Sequence, residues 1–130
     1  MRHLLTIVFF GGLCWIIYLA DTARTIYPFE LLHDIPQGDK LGHFGLFGGL
    51  AWLLNRSLDF RRLQVGRFPL QLGAVLVMTF AAGEELTQWF FPNRHCDLAD
   101  LLADLCGVVC FTLLQQRWNR HHSADSRVES

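Results

Sequence analysis

Four apolar stretches joined by short polar segments, in a chain of 130 residues, leave few ways to fold. They lie at about residues 4–20, 40–55, 68–91 and 98–114, close to the roughly 17–25 residues that a helix needs to cross a bilayer. A backbone in hydrocarbon must satisfy its polar groups internally, which makes each stretch a helix. The predicted fold is therefore all-α, an integral membrane four-helix transmembrane bundle. The chain is 52% hydrophobic and 18% charged, less charged than an average soluble domain. With a net charge of -1 and no basic stripe interleaved with aromatics, nucleic acid is excluded as a partner. Arg2 and the apolar run after it resemble a signal peptide. The run is long for that role, carries Trp15 and Tyr18 and lacks a small-x-small cleavage site, so a retained first span is expected.

Arginine in the joints sets the expected orientation. The 55–67 joint holds Arg56, Arg61, Arg62 and Arg67 against Asp59, and the tail holds Arg117, Arg120 and Arg127. The 21–40 joint offers Arg24 and Lys40 against Asp21, Glu30, Asp34 and Asp39, and the 92–97 turn has Arg94. By the positive-inside rule both termini and the middle joint are cytoplasmic. Residues 1–118 form the predicted transmembrane domain, and 119–130 a polar cytoplasmic tail without structure. The tail's His121 and His122 make no metal site. Trp15, Tyr18 and Trp89 at the outer ends, with Trp52 and Trp118 at the inner ends, suit the two interfaces. Apolar residues of the first outer joint (Ile26, Tyr27, Phe29, Leu31, Leu32, Ile35) are expected to lie along the outer surface.

With that orientation the ionisable groups gather at the outer face. The predicted polar layer is Asp39, Lys40, His43, Glu85, Gln88, Arg94, Asp97, Asp100 and Asp104. Asp39 and His43, four apart, share a helical face. Asp97 and Asp104 nearly eclipse, with Asp100 some 60° away, making a carboxylate stripe. The adjacent Glu84 and Glu85 point about 100° apart, so one is expected to face the bundle and the other the interface. From the rise per residue, His43 and Glu85 lie about 6 Å below the boundary, Asp100 about 4–5 Å and Asp104 about 10 Å. Gly45 and Gly49 form a small-xxx-small pair expected to mediate close helix packing. Six carboxylates (Asp39, Glu84, Glu85, Asp97, Asp100, Asp104) face two cations, Lys40 and Arg94. Protonation, water or a recruited cation can balance the excess. No HExxH or comparable motif appears, so no metal ligand and no cofactor is assigned. A hard ion such as Mg2+, Ca2+ or Mn2+ would suit carboxylates best. Cys14, Cys96, Cys106 and Cys110 form no CxxC pair, which argues against disulfides and thiolate metal sites.

Three blocks in order carry a family resemblance: Asp39-Lys40-Leu41-Gly42-His43-Phe44; Glu85-Leu86-Thr87-Gln88 at a span end; and Arg94 followed by Asp97, Asp100, position 104 and Gly107. In these the chain resembles the VanZ-like family of bacterial membrane proteins. It departs from the family pattern at Asp104, where asparagine is usual, and at Phe47, where tyrosine is frequent. Glu84 falls outside the motif. The resemblance implies a small, multi-pass, helical protein of the bacterial inner membrane. The name-giving member is associated with low-level resistance to teicoplanin, which acts on cell-wall precursors, but resistance is not carried over to this chain.

Three functions fit the residues. The layer binds or remodels the polar headgroup of an envelope lipid or cell-wall precursor, with Lys40 and Arg94 holding anionic groups. Alternatively it is a membrane-embedded, metal-assisted hydrolase or transferase, with His43, Glu85 and Asp100 as catalytic candidates. In the third reading it is an interhelical polar network that fixes packing. Membrane lipid is the expected surrounding partner, and an oligomer is allowed.

Overall fold

The computed structural model describes residues 1–22, 35–92 and 95–128. Among them are helix α1 (Arg2–Asp21), helix α2 (Gly38–Ser57), a β-hairpin of β1 (Arg62–Val65) and β2 (Phe68–Gln71), helix α3 (Leu72–Gln88) and helix α4 (Leu98–Val128). Of the apolar residues of the first outer joint, Ile26, Tyr27, Phe29, Leu31 and Leu32 lie outside the described residues, as does Arg94, and Ile35 is exposed.

Helix α2 is the hub, packed against each of the other three helices. Its contacts fix the directions of all four. Near the end of α2, Ser57 shares a 2.7 Å hydroxyl hydrogen bond with Thr6 near the start of α1. A Cβ at Gly49 would sit against the Phe9 ring, so α1 and α2 are antiparallel. Asn55 meets the start of α3, while His43 and Glu85 meet at its end, making that pair antiparallel too. Along α4 the partners of Lys40, His43 and Asn55 are Asp100, Asp104 and Thr112 in turn, so α2 and α4 run parallel. The apolar core draws on every helix: Leu13, Phe47, Leu50, Ala51, Val77, Ala81 and Val108.

The closest helix approach is between α2 and α4. A Cβ on Gly107 would fall onto the Phe44 carbonyl, and one on Gly48 would stand 2.6 Å from the Phe111 ring and 2.9 Å from the Gly107 carbonyl oxygen. The expected Gly45–Gly49 seam is corrected by this geometry. Gly45 faces open space and Gly49 faces Phe9 of α1. Gly48 lies about 300° around the wheel from Gly45, and the side of α2 that meets α4 is the one bearing Gly48.

At the opposite end from His43, Asn55 joins three helices. Its Oδ1 accepts a 2.9 Å hydrogen bond from the backbone N–H of Ala74, in the first turn of α3, and its Nδ2 donates to Thr112 Oγ1 at 3.2 Å. The N-cap residue of α3, Gln71, makes no side-chain cap. Asn55 thus caps α3 from another helix, satisfying one of the N–H groups that a helix start leaves open. Gly73 leaves room for it, since a Cβ there would collide with the Asn55 backbone. Gln115 Nε2 donates to the Trp52 carbonyl at 2.8 Å, adding a further α2–α4 tie.

Three sequence expectations are corrected here. The chain is mostly helical but not all-α, because residues 62–71 form an antiparallel hairpin with Leu63 opposite Leu70 and Val65 opposite Phe68. Its alternating pattern has the strand period, and Gly66 (φ 60°) opens a two-residue turn in the left-handed region. The third helix therefore starts at Leu72 rather than Phe68. The segment after Trp118 is not unstructured; α4 continues through it to Val128. By length and composition one helix among the described residues, Leu98–Ser123, is long and apolar enough to cross a membrane, and His3–Leu19 is a shorter apolar helix.

Polar side chains share the interior with the apolar core, while many large apolar side chains lie outside, which water-soluble domains do not favour. Asp104 (0% exposed), Gln88 and Asn55 (1%), Glu85 (2%) and Gln115 (3%) are interior, while Leu98 (73%), Leu102 (60%), Leu113 (54%) and Phe90 (85%) face outward. On α4 the buried side carries Asp104, Gly107, Val108, Thr112 and Gln115, and the outer side carries leucines and valine.

Replacing Asn55 with Ala should lower stability by about 1–3 kcal/mol, since it leaves the Ala74 N–H without its partner. Unfolding followed by circular dichroism reads this directly. A loss within a few tenths of a kcal/mol would remove the trans-cap.

Candidate functional site

The site forms where the start of α2, the end of α3 and the start of α4 converge. It begins with the Gly48–Gly107 approach, which brings α2 near enough to α4 for short side chains to touch. His43 Nδ1 lies 2.9 Å from Asp104 Oδ1, and its Nε2 lies 3.8 Å from Asp100 Oδ2. Phe47, one turn further along α2, stacks on the imidazole with ring centroids 5.8 Å apart and planes 3° from parallel. The position that departs from the family pattern is thus the ring against which His43 rests.

Lys40 bridges the mouth of the site. Its Nζ stands 3.4 Å from Asp100 Oδ1, 3.6 Å from Asp97 Oδ2 and 3.8 Å from Asp39 Oδ2. Asp39 itself points outward. Sharing a helical face with His43 does not bring it into the cluster, because its contacts among the described residues are with Lys40. Asp97 caps α4: its Oδ1 accepts a 2.8 Å hydrogen bond from the Ala99 N–H. That N–H, followed by the Lys40 ammonium, holds the Asp97 carboxyl below its ordinary range.

From α3 come Glu84, Glu85 and Gln88. Both glutamates are buried, which corrects the expectation that one would face the interface. Gln88 reconciles their directions, its Nε2 donating to Glu84 Oε1 at 2.8 Å and to Glu85 Oε1 at 3.2 Å. Glu85 Oε2 accepts from the Asp97 backbone N–H at 3.2 Å, tying the end of α3 to the start of α4. Cys96 lies beside Glu85, and partial burial together with that carboxylate pushes its thiol up, away from thiolate chemistry. His43, Glu85 and Asp104 each present one ligand-type atom, and these atoms lie within 4.8 Å of one another.

Lys40, His43, Glu85, Gln88, Asp97, Asp100 and Asp104 of the predicted layer are therefore brought together, and Asp39 sits at its rim. Arg94, expected as a carboxylate clamp, lies outside the described residues. Sequence reading counted Glu84 among the carboxylates but kept it out of the polar layer because it falls outside the family motif, and it left out Phe47 as a support for the imidazole. It also gave Asn55 no role beyond ending a span.

Fold and site together define a small helical bundle with a carboxylate–imidazole layer buried at one end. A sequence model of the family described as VanZ/LLP1 matches residues 4–119, and the chain belongs to that family. Searches of curated proteins and of solved structures return no significant match.

The ionised Asp97 cap should give a pH signature. A carboxyl whose folded pKa is depressed adds stability above its ordinary value of 3.8 and loses it as pH falls through the lower folded value. The thermal midpoint of the wild type should exceed that of Asp97→Ala at neutral pH, and the gap should narrow below pH 3.8. A gap independent of pH would contradict the cap.

Proposed function

We propose that the chain is a multi-pass inner-membrane protein whose four helices cross the bilayer, and whose polar layer at the outer face binds the headgroup of an envelope lipid or lipid-linked cell-wall precursor. The observation that carries this reading is the burial pattern. Carboxylates and amides occupy the interior while leucine, valine and phenylalanine cover the outside, far beyond the apolar patches tolerated in water. Hydrocarbon is the solvent that this surface suits.

Helix lengths support it. The 20 residues of α1 and of α2 reach about 30 Å, the thickness of a hydrocarbon core, and the 17 residues of α3 reach about 25 Å. In α2 and α3 the polar residues that lower average apolarity are largely turned inward. The alternating helix directions put Arg56, Arg61, Arg62, Arg67, Arg117 and Arg120 at one end and the carboxylate layer at the other. The arginine end is the cytoplasmic one by the positive-inside rule. The hairpin sets Leu63, Val65, Phe68 and Leu70 on one exposed face beside those arginines, which suits contact with a lipid surface carrying anionic headgroups. Lys40 at the mouth supplies a cation for an anionic headgroup, and Gln88 and the carboxylates supply hydrogen-bond partners.

One contact favours a second reading. His43, held 2.9 Å from the buried Asp104, has the base-plus-orienter arrangement of a general base, with Glu85 close by. A hydrolase or transferase acting on the same headgroup would use it, and the chemistry would be lost in His43→Ala and Glu85→Gln at normal protein abundance.

Topology and ligand are tested together. In a background without native cysteines, Gln64→Cys should resist a membrane-impermeant maleimide in spheroplasts, whereas Asp39→Cys should react. The opposite pattern overturns the orientation. Lipid analysis of the purified protein should show a headgroup class enriched over bulk membrane and depleted in Lys40→Ala. Identical lipid profiles would remove headgroup binding.

A further inference from the structure

We propose that His43, Glu85 and Asp104 bind one divalent transition-metal ion, Zn2+ or Mn2+, at the centre of the polar layer. Three helices each deliver one ligand, with no sequence motif to announce it, because the residues are far apart in the chain and meet only in the folded bundle. Their ligand-type atoms lie within 4.8 Å of one another. Around an ion bonded at about 2.1 Å, ligands stand about 3.4 Å apart in tetrahedral geometry, and about 3.0 Å (adjacent) or about 4.2 Å (opposite) in octahedral geometry. His43 Nδ1 and Asp104 Oδ1, at 2.9 Å, already have the adjacent spacing. A separation at the 4.8 Å limit exceeds the octahedral opposite spacing by about 0.6 Å and the tetrahedral one by about 1.4 Å, within reach of a glutamate side-chain rotation.

A second, independent observation points to a ligand. Asp104 is fully buried, and its Oδ2 has no hydrogen-bond partner among the described residues. A buried carboxylate oxygen without a partner is costly, and an ion reached by Oδ2 as well as by Oδ1 supplies both the missing contact and the missing charge. Lys40 does not fill that role, since its ammonium is directed to Asp39, Asp97 and Asp100.

The surroundings match those of metal-bound histidine and carboxylate. With Nδ1 on the ion, His43 turns Nε2 toward Asp100 Oδ2, which at 3.8 Å is beyond hydrogen-bond reach but on the side from which a carboxylate orients a metal-bound histidine. Glu85 is steadied by the Gln88 amide and the Asp97 N–H. The imidazole nitrogen favours Zn2+ over Mg2+ or Ca2+, and the two carboxylates suit Mn2+. The hard-ion preference drawn from the carboxylates alone is shifted by His43.

This deepens the proposed function and rests on it for what the ion meets. A layer with more carboxylates than cations repels a phosphate-bearing headgroup, and a divalent ion reverses that sign locally. The ion itself is tested without any headgroup. Purified protein in detergent is stripped with a chelator, incubated with Zn2+ or Mn2+ alone, freed of excess and measured by elemental analysis and titration calorimetry. The expected result is about one ion per chain, a rise in thermal midpoint with the ion, and roughly tenfold or greater weakening in His43→Ala, Glu85→Gln and Asp104→Asn. Asp39→Asn at the rim should bind as the wild type does. Should His43→Ala fail to fold, the near-isosteric Asp104→Asn, checked by circular dichroism, carries the comparison.

Failure of the folded wild type to hold either ion, or unchanged affinity in folded Asp104→Asn, overturns the site. A metal-free protein with the expected labelling pattern would overturn this inference alone. A metal-loaded protein whose Gln64→Cys reacts from outside would overturn the orientation alone.

Discussion

The contact of Gly107 with the Phe44 backbone governs the geometry of the molecule. Because neither Gly48 nor Gly107 carries a Cβ, α2 and α4 come within backbone distance, and parallel helices at that separation bring short side chains into contact. His43 reaches Asp104 and Lys40 reaches Asp100 for that reason. In lipid, where burying apolar surface from water no longer drives helices together, close packing and interhelical hydrogen bonds are what remain. The bundle has both along the same seam.

Polar groups hold α2 at each end and apolar groups fill the middle. Toward one end, Asn55, Ser57 and the Trp52 carbonyl bind α3, α1 and α4 respectively. Toward the other, Lys40 and His43 engage α4. The two ends differ in chemistry. Amide and hydroxyl groups near the arginine hairpin find neutral partners and act as fasteners. The opposite end concentrates carboxylates beyond what the cations described there balance.

Much of this was legible in the chain. The four helices follow from four apolar runs, and counting rise per residue on helices oriented by their arginines places His43, Asp100 and Asp104 at overlapping heights. What the sequence did not disclose depends on which side of a helix faces which neighbour. Gly45, Gly48 and Gly49 all read as packing residues, and only the position of α4 selects Gly48. Glu84 and Glu85 diverge on the wheel, yet both are buried because Gln88 donates to each. Asn55 looked like the end of a span, and its capping of α3 arises from tertiary contact. The hairpin carried the strand period in Leu63, Val65, Phe68 and Leu70, but Phe68 and Leu70 ran on into an apolar stretch and were absorbed into the helix.

The central claim is that α2, α3 and α4 assemble one buried layer inside a bundle whose outside is apolar. Cross-linking in native membranes tests it most directly, using His43→Cys with Asp104→Cys in a cysteine-free background and a short thiol-specific reagent. The account predicts efficient cross-linking within one chain, and none when the outward-facing Leu41→Cys replaces His43→Cys. Absence of the first cross-link, or equal yields for the two pairs, would contradict it.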